Sequence, residues 1–370
     1  MQVSIGERLR YARERAGLTL RQVADRTEIG ESSLSEFENS KREPRLSQLQ
    51  LLGEAYRRSI AFLLGEGEIP RETILWRQRP DPAAAGDIET QFLKLCQQYH
   101  NLEVWCAERR PSVLPKVTAD AESFGYREAE KLAYQVQSEL RFGDRPGQSL
   151  FPVLEEVCGV KLFHLSFGPT GTAASTVSET FGSAVLLNTK NVRWRRNFDL
   201  AHELFHLLTW DIFRSSESSD ATLASDKEEK LATCFASRLL MPTDVTRLAI
   251  SEVSEGGRIS FSNLFKIARQ FDVSVEALLW RMCFLLNRNE EDTRRDIERY
   301  RATSDIWENR ERDEPPTRPA RFVALAVKAF RNGEMSQGRF AEYLGMSRRE
   351  AMQFAEQEAL EDEEVAIPPA

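Results

Sequence analysis

The chain is predicted to be mostly α-helical: an all-helical N-terminal unit of five helices, an α+β core with a small β-sheet, and a helical C-terminal region. Three observations carry this. Apolar residues recur at helical spacing from "GERLRYARERAG" near the start to "RFVALAVKAF" near the end. Two short β-rich runs, "KLFHLSF" and "SAVLLNT", are bounded by Gly, Pro or Asn. Two stretches rich in proline and charge interrupt the helical pattern and divide the chain. The expected organisation is residues 1–66, a linker over 67–85, a core over 86–290, a charged linker over 291–320 and a helical region over 321–370.

Taken in order, "GERLRYARERAG" stops at Gly17, and Thr19 caps "LRQVADRT". A tight turn around "EIG" leads to "ESSLSEFENS", and "LSQLQLLGEAY" and "SIAFLLG" complete five short helices in a helix-turn-helix layout. Beyond the linker, "IETQFLKLCQQYHNLEVWCAE", "REAEKLAYQVQSELRF" and "FPVLEEVCGV" read as helices before the two strands. "RWRRNFDLAHELFHLLTW" returns to helix, "SESSDATLASD" is a polar loop, and "KEEKLATCFASRLLMP" is a helix stopped by Pro242. Two more helices follow in "SFSNLFKIARQFDVSVEALLWRMCFL". The stretch "NRNEEDTRRDIERYRATSDIWENRERDEPPTRPA" is expected to be a solvated linker or an exposed helix. The C-terminal "MSQGRFAEYLGMSRREAMQF" has a second helix-turn-helix flavour, with Ser336 as its cap and "LGMS" as its turn.

With 370 residues, the chain has room for two or three domains. A net charge of -8 excludes generic nucleic-acid adhesion, so DNA binding needs a local patch. No signal-peptide core opens the chain and no run approaches a membrane span, so no membrane partner is expected. Five cysteines without a CxxC pair suit reduced thiols, and a cytoplasmic location is expected.

The chemistry concentrates in "DLAHELFHLL". On a helix, His202 and His206 stand four apart and share a face, so both can point at one ion. Glu203, one residue on, is placed to take a proton from water attacking a peptide carbonyl and return it to the leaving amine. Bound zinc would bring that water's pKa from about 16 to about 7. With four histidines and 58 acidic residues, the pattern is expected by chance about 0.007 times. A third ligand is required. The other histidines, His100 and His164, precede the motif, so a downstream carboxylate is the better candidate. Asp226, Glu228 and Glu229 open the next helix. Glu229 is favoured, with Glu228 second, because Ala232, Thr233 and Ala236 lie on its face and permit close packing.

These two helices resemble the ImmA/IrrE family of bacterial metallopeptidases. Arg195, Phe198, Ala201, His202, Glu203 and His206 fit its "RxxFxxAHExxH" pattern. Glu229, Ala232, Phe235, Ala236, Leu239, Leu240, Met241 and Pro242 fit "ExxAxxFAxxLLMP". Thr233 stands where Asn is usual, and Cys234 lies inside the second helix as an expected inert thiol. The resemblance covers about residues 86–290 and implies a zincin-like fold, His202, His206 and Glu229 as ligands of Zn²⁺, and Glu203 as general base. It also implies that "SAVLLNT" is the edge strand that receives the substrate backbone. By ligand type alone Mn²⁺ fits nearly as well.

The stretch "LTLRQVADRTEIGESSLSEFENSKREP" resembles the XRE (Cro/repressor-like) helix-turn-helix family through Leu18, Val23, Ala24, Ile29, Leu34 and Phe37, the pair Glu38–Asn39 and the "KREP" loop. Thr27 and Glu28 stand where that family has Leu and Gly. The resemblance implies a helix beginning near Glu31 that enters the major groove, presenting Glu31, Ser32, Ser33, Ser35 and Glu36. Gln22, Lys41 and Arg42 would contact backbone or nearby bases. Residues 1–65 hold 11 Lys/Arg against 9 Asp/Glu, a thin electrostatic footprint for a DNA reader.

The expected function is a zinc-dependent endopeptidase coupled to a DNA-binding regulator. Its expected partners are DNA, a protein substrate of repressor type, and a second copy in a homodimer. The alternative is a non-catalytic regulator or antitoxin that uses the zincin fold as a scaffold. Self-cleavage within 288–320 is a third possibility.

Overall fold

The computed structural model describes residues 4–15, 18–56, 58, 60–65, 73–110, 113–168, 171–214, 223–308 and 313–361. Of the stretches expected to be linker, loop or tail, residues 67–72, 215–222, 309–312 and 362–370 lie outside the described residues. The chain divides into two compact units, one of residues 1–72 with 86–97, the other of 73–85 with 98–370.

The first unit opens with the five expected helices: α1 (Ile5–Arg15), α2 (Leu20–Thr27), α3 (Glu31–Glu38), α4 (Leu46–Tyr56) and α5 (Ile60–Leu64). Thr19 caps α2 in a reciprocal box: its Oγ1 accepts from the Gln22 N–H at 3.2 Å, and Gln22 Oε1 accepts from the Thr19 N–H at 2.9 Å. Leu18, Val23, Ile29, Leu34 and Phe37 close with Leu9, Leu49 and Leu52 into one buried core. Thr27 fits a site usually held by leucine because its hydroxyl donates to the Val23 carbonyl at 2.8 Å, so no buried polar group is stranded. Glu28 adopts φ 58°, the left-handed conformation that glycine takes freely. Gly6 lets α1 meet the end of α3: a Cβ there would stand 2.6 and 2.8 Å from the carbonyl oxygens of Phe37 and Glu38. Gly6→Ala is therefore expected to lower this unit's stability by about 1–3 kcal/mol, read as an earlier denaturant transition.

The chain continues through β1 (Leu75–Trp76), α6 (Pro82–Trp105), which contributes to both units, α7 (Tyr126–Glu139) and α8 (Pro146–Pro152), which runs on into a π-helical turn over Val153–Val157. Then come β2 (Lys161–Leu165), β3 (Ala173–Ser178), β4 (Gly182–Asn188), α9 (Arg193–Leu208), α10 (Trp210–Phe213), α11 (Asp226–Leu240) and α12 (Thr243–Val253). The remaining helices are α13 (Phe261–Phe271), α14 (Val275–Leu285), α15 (Glu290–Glu308), α16 (Ala320–Arg331), α17 (Gln337–Leu344) and α18 (Arg348–Glu361). The described chain is mostly helical, with one small sheet, as the sequence predicts.

That sheet has the order β1-β3-β4-β2. β4 pairs in parallel with β2 and antiparallel with β3, and β1 adds antiparallel to β3 through Leu75↔Ser175 and Trp76↔Ala174. Two of these strands are missing from the sequence reading. β3, "AASTVS", opens on Ala-Ala-Ser, poor strand formers that hide it. β1 falls in the stretch expected to be linker. There the Thr73 carbonyl accepts from Thr176 Oγ1 at 2.8 Å, and the Arg77 N–H donates to the Ala173 carbonyl at 3.1 Å. A further correction concerns "SAVLLNT": β4 is flanked on both sides, so its backbone groups are spent within the sheet and it cannot be the edge that receives a substrate.

Within the stretch 291–320, residues up to Glu308 are helical. α15 buries Thr293, Ile297 and Tyr300, which share one helical face. α16 is tied to the sheet by buried charges: Arg321 donates to Glu103 at 2.7 Å, and Glu103 accepts from Lys161 of β2 at 2.9 Å. Ser336 caps α17, accepting from the Arg339 N–H at 3.3 Å, and Gly345 ends that helix at φ 69°.

Buried beside this network, Glu155 accepts a 3.0 Å hydrogen bond from the Tyr99 hydroxyl, yet burial pushes its carboxyl up to about 7 from the ordinary 4.5. Between those values the folded chain keeps a proton that the unfolded chain has lost. The stability tied to Glu155 is therefore full below about 4.5 and falls as pH rises towards 7. Glu155→Gln should remove that loss: thermal unfolding at pH 8 should show the variant more stable than the wild type, by up to about 3 kcal/mol.

Candidate metal centre

α9 is buried along its whole second half, from Asp199 to Leu208, against the sheet and α11. Its i, i+4 spacing sets the rings of His202 and His206 with centroids 5.0 Å apart. Ser225 caps α11, accepting from the Glu228 N–H at 3.2 Å, and fully buried Ala232 and Ala236 let α11 approach closely. Of the expected stripe of small residues, Ala232 and Ala236 are used for packing, whereas Thr233 is exposed on the wall of a cleft.

The structure brings His202, His206 and Glu229 together: one ligand atom from each lies within 4.8 Å of the others. Glu229 Oε2 stands 3.1 Å from His202 Nε2, and Glu229 Oε1 stands 3.4 Å from His206 Nε2. These approaches lack hydrogen-bond alignment, since both Nε2 atoms and Glu229 Oε1 are buried without a hydrogen-bond partner. Glu203 is fully buried beside them; its Oε2 accepts from Ser175 Oγ of β3 at 2.7 Å, and its Oε1 has no partner. Glu228 does not join the cluster. It faces the other side of His206, where Oε1 is 2.9 Å from Nδ1, and both its oxygens accept from Arg214. Asp226 lies on the wall of an adjoining cleft.

The electrostatics follow from burial and neighbours. Burial, helped by the Arg77 charge, drives the His202 ring down to about 3. Burial works against the His206 cation too, but the carboxylates of Glu228 and Glu229 outweigh it and hold the ring of the metal-free chain at about 9. Burial raises the Glu203 carboxyl to about 7 against the pull of His206 and Ser175. Glu229 resists its own burial, and the two histidines hold it at about 2.

Three residues at the site are absent from the sequence reading. Ser175 sits in the unrecognised strand. Arg77, paired with buried Asp199, follows β1 in the supposed linker. Arg214 ends α10 in a stretch with no motif. Of these, only Arg77 carries a sequence signal, as a cation inside the apolar run "ILWRQ". His164, which precedes the motif, is engaged elsewhere: its ring stacks on Phe151 at 5.5 Å, and Nδ1 lies 3.3 Å from the Pro316 carbonyl. Cys234 is half-buried, and burial raises its thiol above the ordinary value, as fits an inert cysteine.

A cleft of about 920 Å³ opens beside the cluster. Glu229 forms part of its wall with Tyr126, Phe198, Trp280 and Phe284. Glu229 is 29% exposed, whereas His202 and Glu203 show no exposure.

In the first unit, Gln22, Glu31, Ser32, Glu36, Lys41 and Arg42 are exposed, with Ser33 and Ser35 half-buried, so α3 and the loop after it present one polar face. Gln22 spends its Oε1 on the Thr19 cap. Arg42 leans over the Phe37 ring at 5.8 Å and stands 4.0 Å from Glu36. No helix among the described residues is long and apolar enough to cross a membrane.

Fold and site together define a helix-turn-helix unit combined with a metallopeptidase-like core. Comparison with known families agrees: a helix-turn-helix domain model matches residues 4–61, and the peptidase M78 model, an IrrE N-terminal-like domain, matches residues 155–282. The chain is 36% identical over 70 residues to the HTH-type transcriptional regulator ImmR of Bacillus subtilis (strain 168), a match covering 19% of this chain. The chain spans about half that regulator's length, 55%. Two solved structures also align. The apo form of ComR from S. thermophilus is 13% identical, over 95% of this chain and 93% of that one. ComR from Streptococcus suis is 12% identical, over 97% and 95% respectively. The TM-score is 0.16 in both cases, and the likeness carries no argument.

Proposed function

We propose that the chain is a zinc-dependent endopeptidase coupled to a DNA-binding regulator, acting in the cytoplasm on a repressor or related regulatory protein in stress, mobile-element or toxin–antitoxin control. The observation that supports this best is the set of unpartnered buried atoms: Nε2 of His202, Nε2 of His206 and Oε1 of Glu229. Leaving such atoms unpaired costs about 1–3 kcal/mol each, and one divalent cation would satisfy all three. Two imidazoles and a carboxylate suit Zn²⁺, and Mn²⁺ accepts the same set. Donor atoms of tetrahedral zinc, each about 2.0–2.1 Å from the ion, stand about 3.3 Å apart. The 3.4 Å from His206 Nε2 to Glu229 Oε1 fits that spacing, and His202 Nε2 stands 3.1 Å from the other oxygen of Glu229, Oε2.

Zinc, when bound, supplies Lewis acidity that makes hydroxide available at neutral pH. The chain's own groups do the rest. Ser175 holds one oxygen of Glu203 and leaves Oε1 free to take a proton from the attacking water and return it to the leaving amine. Because 73–78 occupies the edge of β3, a polypeptide would approach from the aromatic cleft beside Glu229. The test is to incubate the zinc-loaded chain with the repressor encoded nearest to it and look for new termini by mass spectrometry. An intact repressor beside stoichiometric zinc would overturn the peptidase reading.

One observation favours a second reading, a regulator that uses the zincin fold as a scaffold: His202 and Glu203 have no exposed surface. The same experiment separates the two readings.

For DNA, α3 is proposed to enter the major groove with Glu31, Ser32, Ser33 and Ser35, flanked by Gln22, Lys41 and Arg42, and a homodimer would match a two-fold operator. Lys41→Ala and Arg42→Ala should each reduce the slope of log affinity against log salt by about 1, measured by fluorescence anisotropy on duplex DNA.

A further inference from the structure

We infer that Arg214 and Glu228, neither of them a proposed ligand, set the affinity of the metal site by fixing the ring of His206; this rests on the metal reading above. The two imidazoles are held unequally. Nδ1 of His202 has no hydrogen-bond partner. Nδ1 of His206 lies 2.9 Å from Oε1 of Glu228, in a buried contact. A carboxylate only accepts, so Nδ1 carries a proton, and Nε2, facing Glu229, is the nitrogen whose lone pair a cation would take.

Glu228 is itself held on three sides. Nη2 of Arg214 donates to Oε1 at 2.7 Å and Nη1 donates to Oε2 at 3.0 Å, a two-pronged grip that fixes the carboxylate plane. Its backbone N–H is tied to the Ser225 cap. Arg214 is only 11% exposed and lies over the Trp210 ring at 5.9 Å, so the grip is sheltered from water. Adjacent residues on one turn of α11 therefore divide the work. Glu228 holds the far nitrogen of His206, and Glu229 faces the near one. Arg214 reaches the site only through Glu228, which makes it a positioning residue two steps removed from the ion.

This ordering gives a specific thermodynamic signature. Zinc affinity of the full chain would be measured by competition with a chromophoric chelator, with far-UV circular dichroism of the zinc-free proteins as the check on folding. Arg214→Met and Glu228→Ala are each expected to weaken binding about 10–100-fold. The double variant should be no weaker than Glu228→Ala alone, because Arg214 has no other route to the ring. Glu228→Gln, which still accepts from Nδ1, should retain part of the affinity. Wild-type affinity in Arg214→Met and Glu228→Ala would overturn the inference and leave the metal reading standing, as would losses that simply add in the double variant. A wild-type chain that binds no zinc would overturn the metal reading and this inference with it.

Discussion

Glu203→Gln should abolish cleavage of the partner while leaving the zinc content of the protein unchanged. Gln has nearly the shape of Glu, so the buried pocket under β3 stays filled and Ser175 keeps an acceptor. What disappears is a group able to take and return a proton, a contribution of about 10²–10⁴ in rate. Glu203 is not among the three atoms that converge on the ion position, which is why metal content is the internal control. The measurement pairs an initial cleavage rate with the zinc-to-protein ratio of the same sample. Undiminished cleavage by Glu203→Gln would remove Glu203 from the chemistry.

Chelation should lower the melting temperature of the wild type by on the order of 10 °C, and His206→Ala should not respond to zinc or chelator. A ligand present at about 1,000 times its Kd stabilises the folded state by about 4 kcal/mol, and each kcal/mol is worth about 2–4 °C in a chain of this size. The effect is anchored at the centre of the second unit. α9 and α11 pack there through Ala232, Phe235 and Ala236, and the unpartnered atoms of His202, His206 and Glu229 lie between them. Differential scanning calorimetry with and without zinc reads it directly. A chain whose transition ignores both additions would contradict the proposed site.

What could be read in advance, and what could not, divides along physical lines. α9 and α11 were legible because their periodicity is long and their histidines and carboxylates are tied to one chemistry. Glu229 was preferred to Glu228 from the small residues on its face, and the structure places Glu229 at the cluster, with Glu228 one nitrogen away behind His206. The helix-turn-helix unit was legible for similar reasons, down to the Thr19 cap. The sheet was read poorly. β3 is Ala- and Ser-rich, and β1 is two residues long in a proline-containing stretch, so neither shows an alternating pattern. Ser175, Arg77 and Arg214 were missed because their roles depend on contacts across 14 to 122 residues of sequence. α15 looked like linker because its charges outnumber its apolar residues, yet one face at 293, 297 and 300 is enough to anchor it.

The strand at Leu75–Trp76 has a practical corollary for dissecting the molecule. The family match begins at residue 155, and a composition-based cut falls near 86, so both borders leave this strand behind. An excised peptidase-like piece would then expose the rim of β3 as a bare row of amides and carbonyls, ready to pair with another copy and precipitate. A fragment intended to stay monodisperse has to start upstream of Thr73, retaining the Thr73 carbonyl and the Arg77 amide that seal that rim.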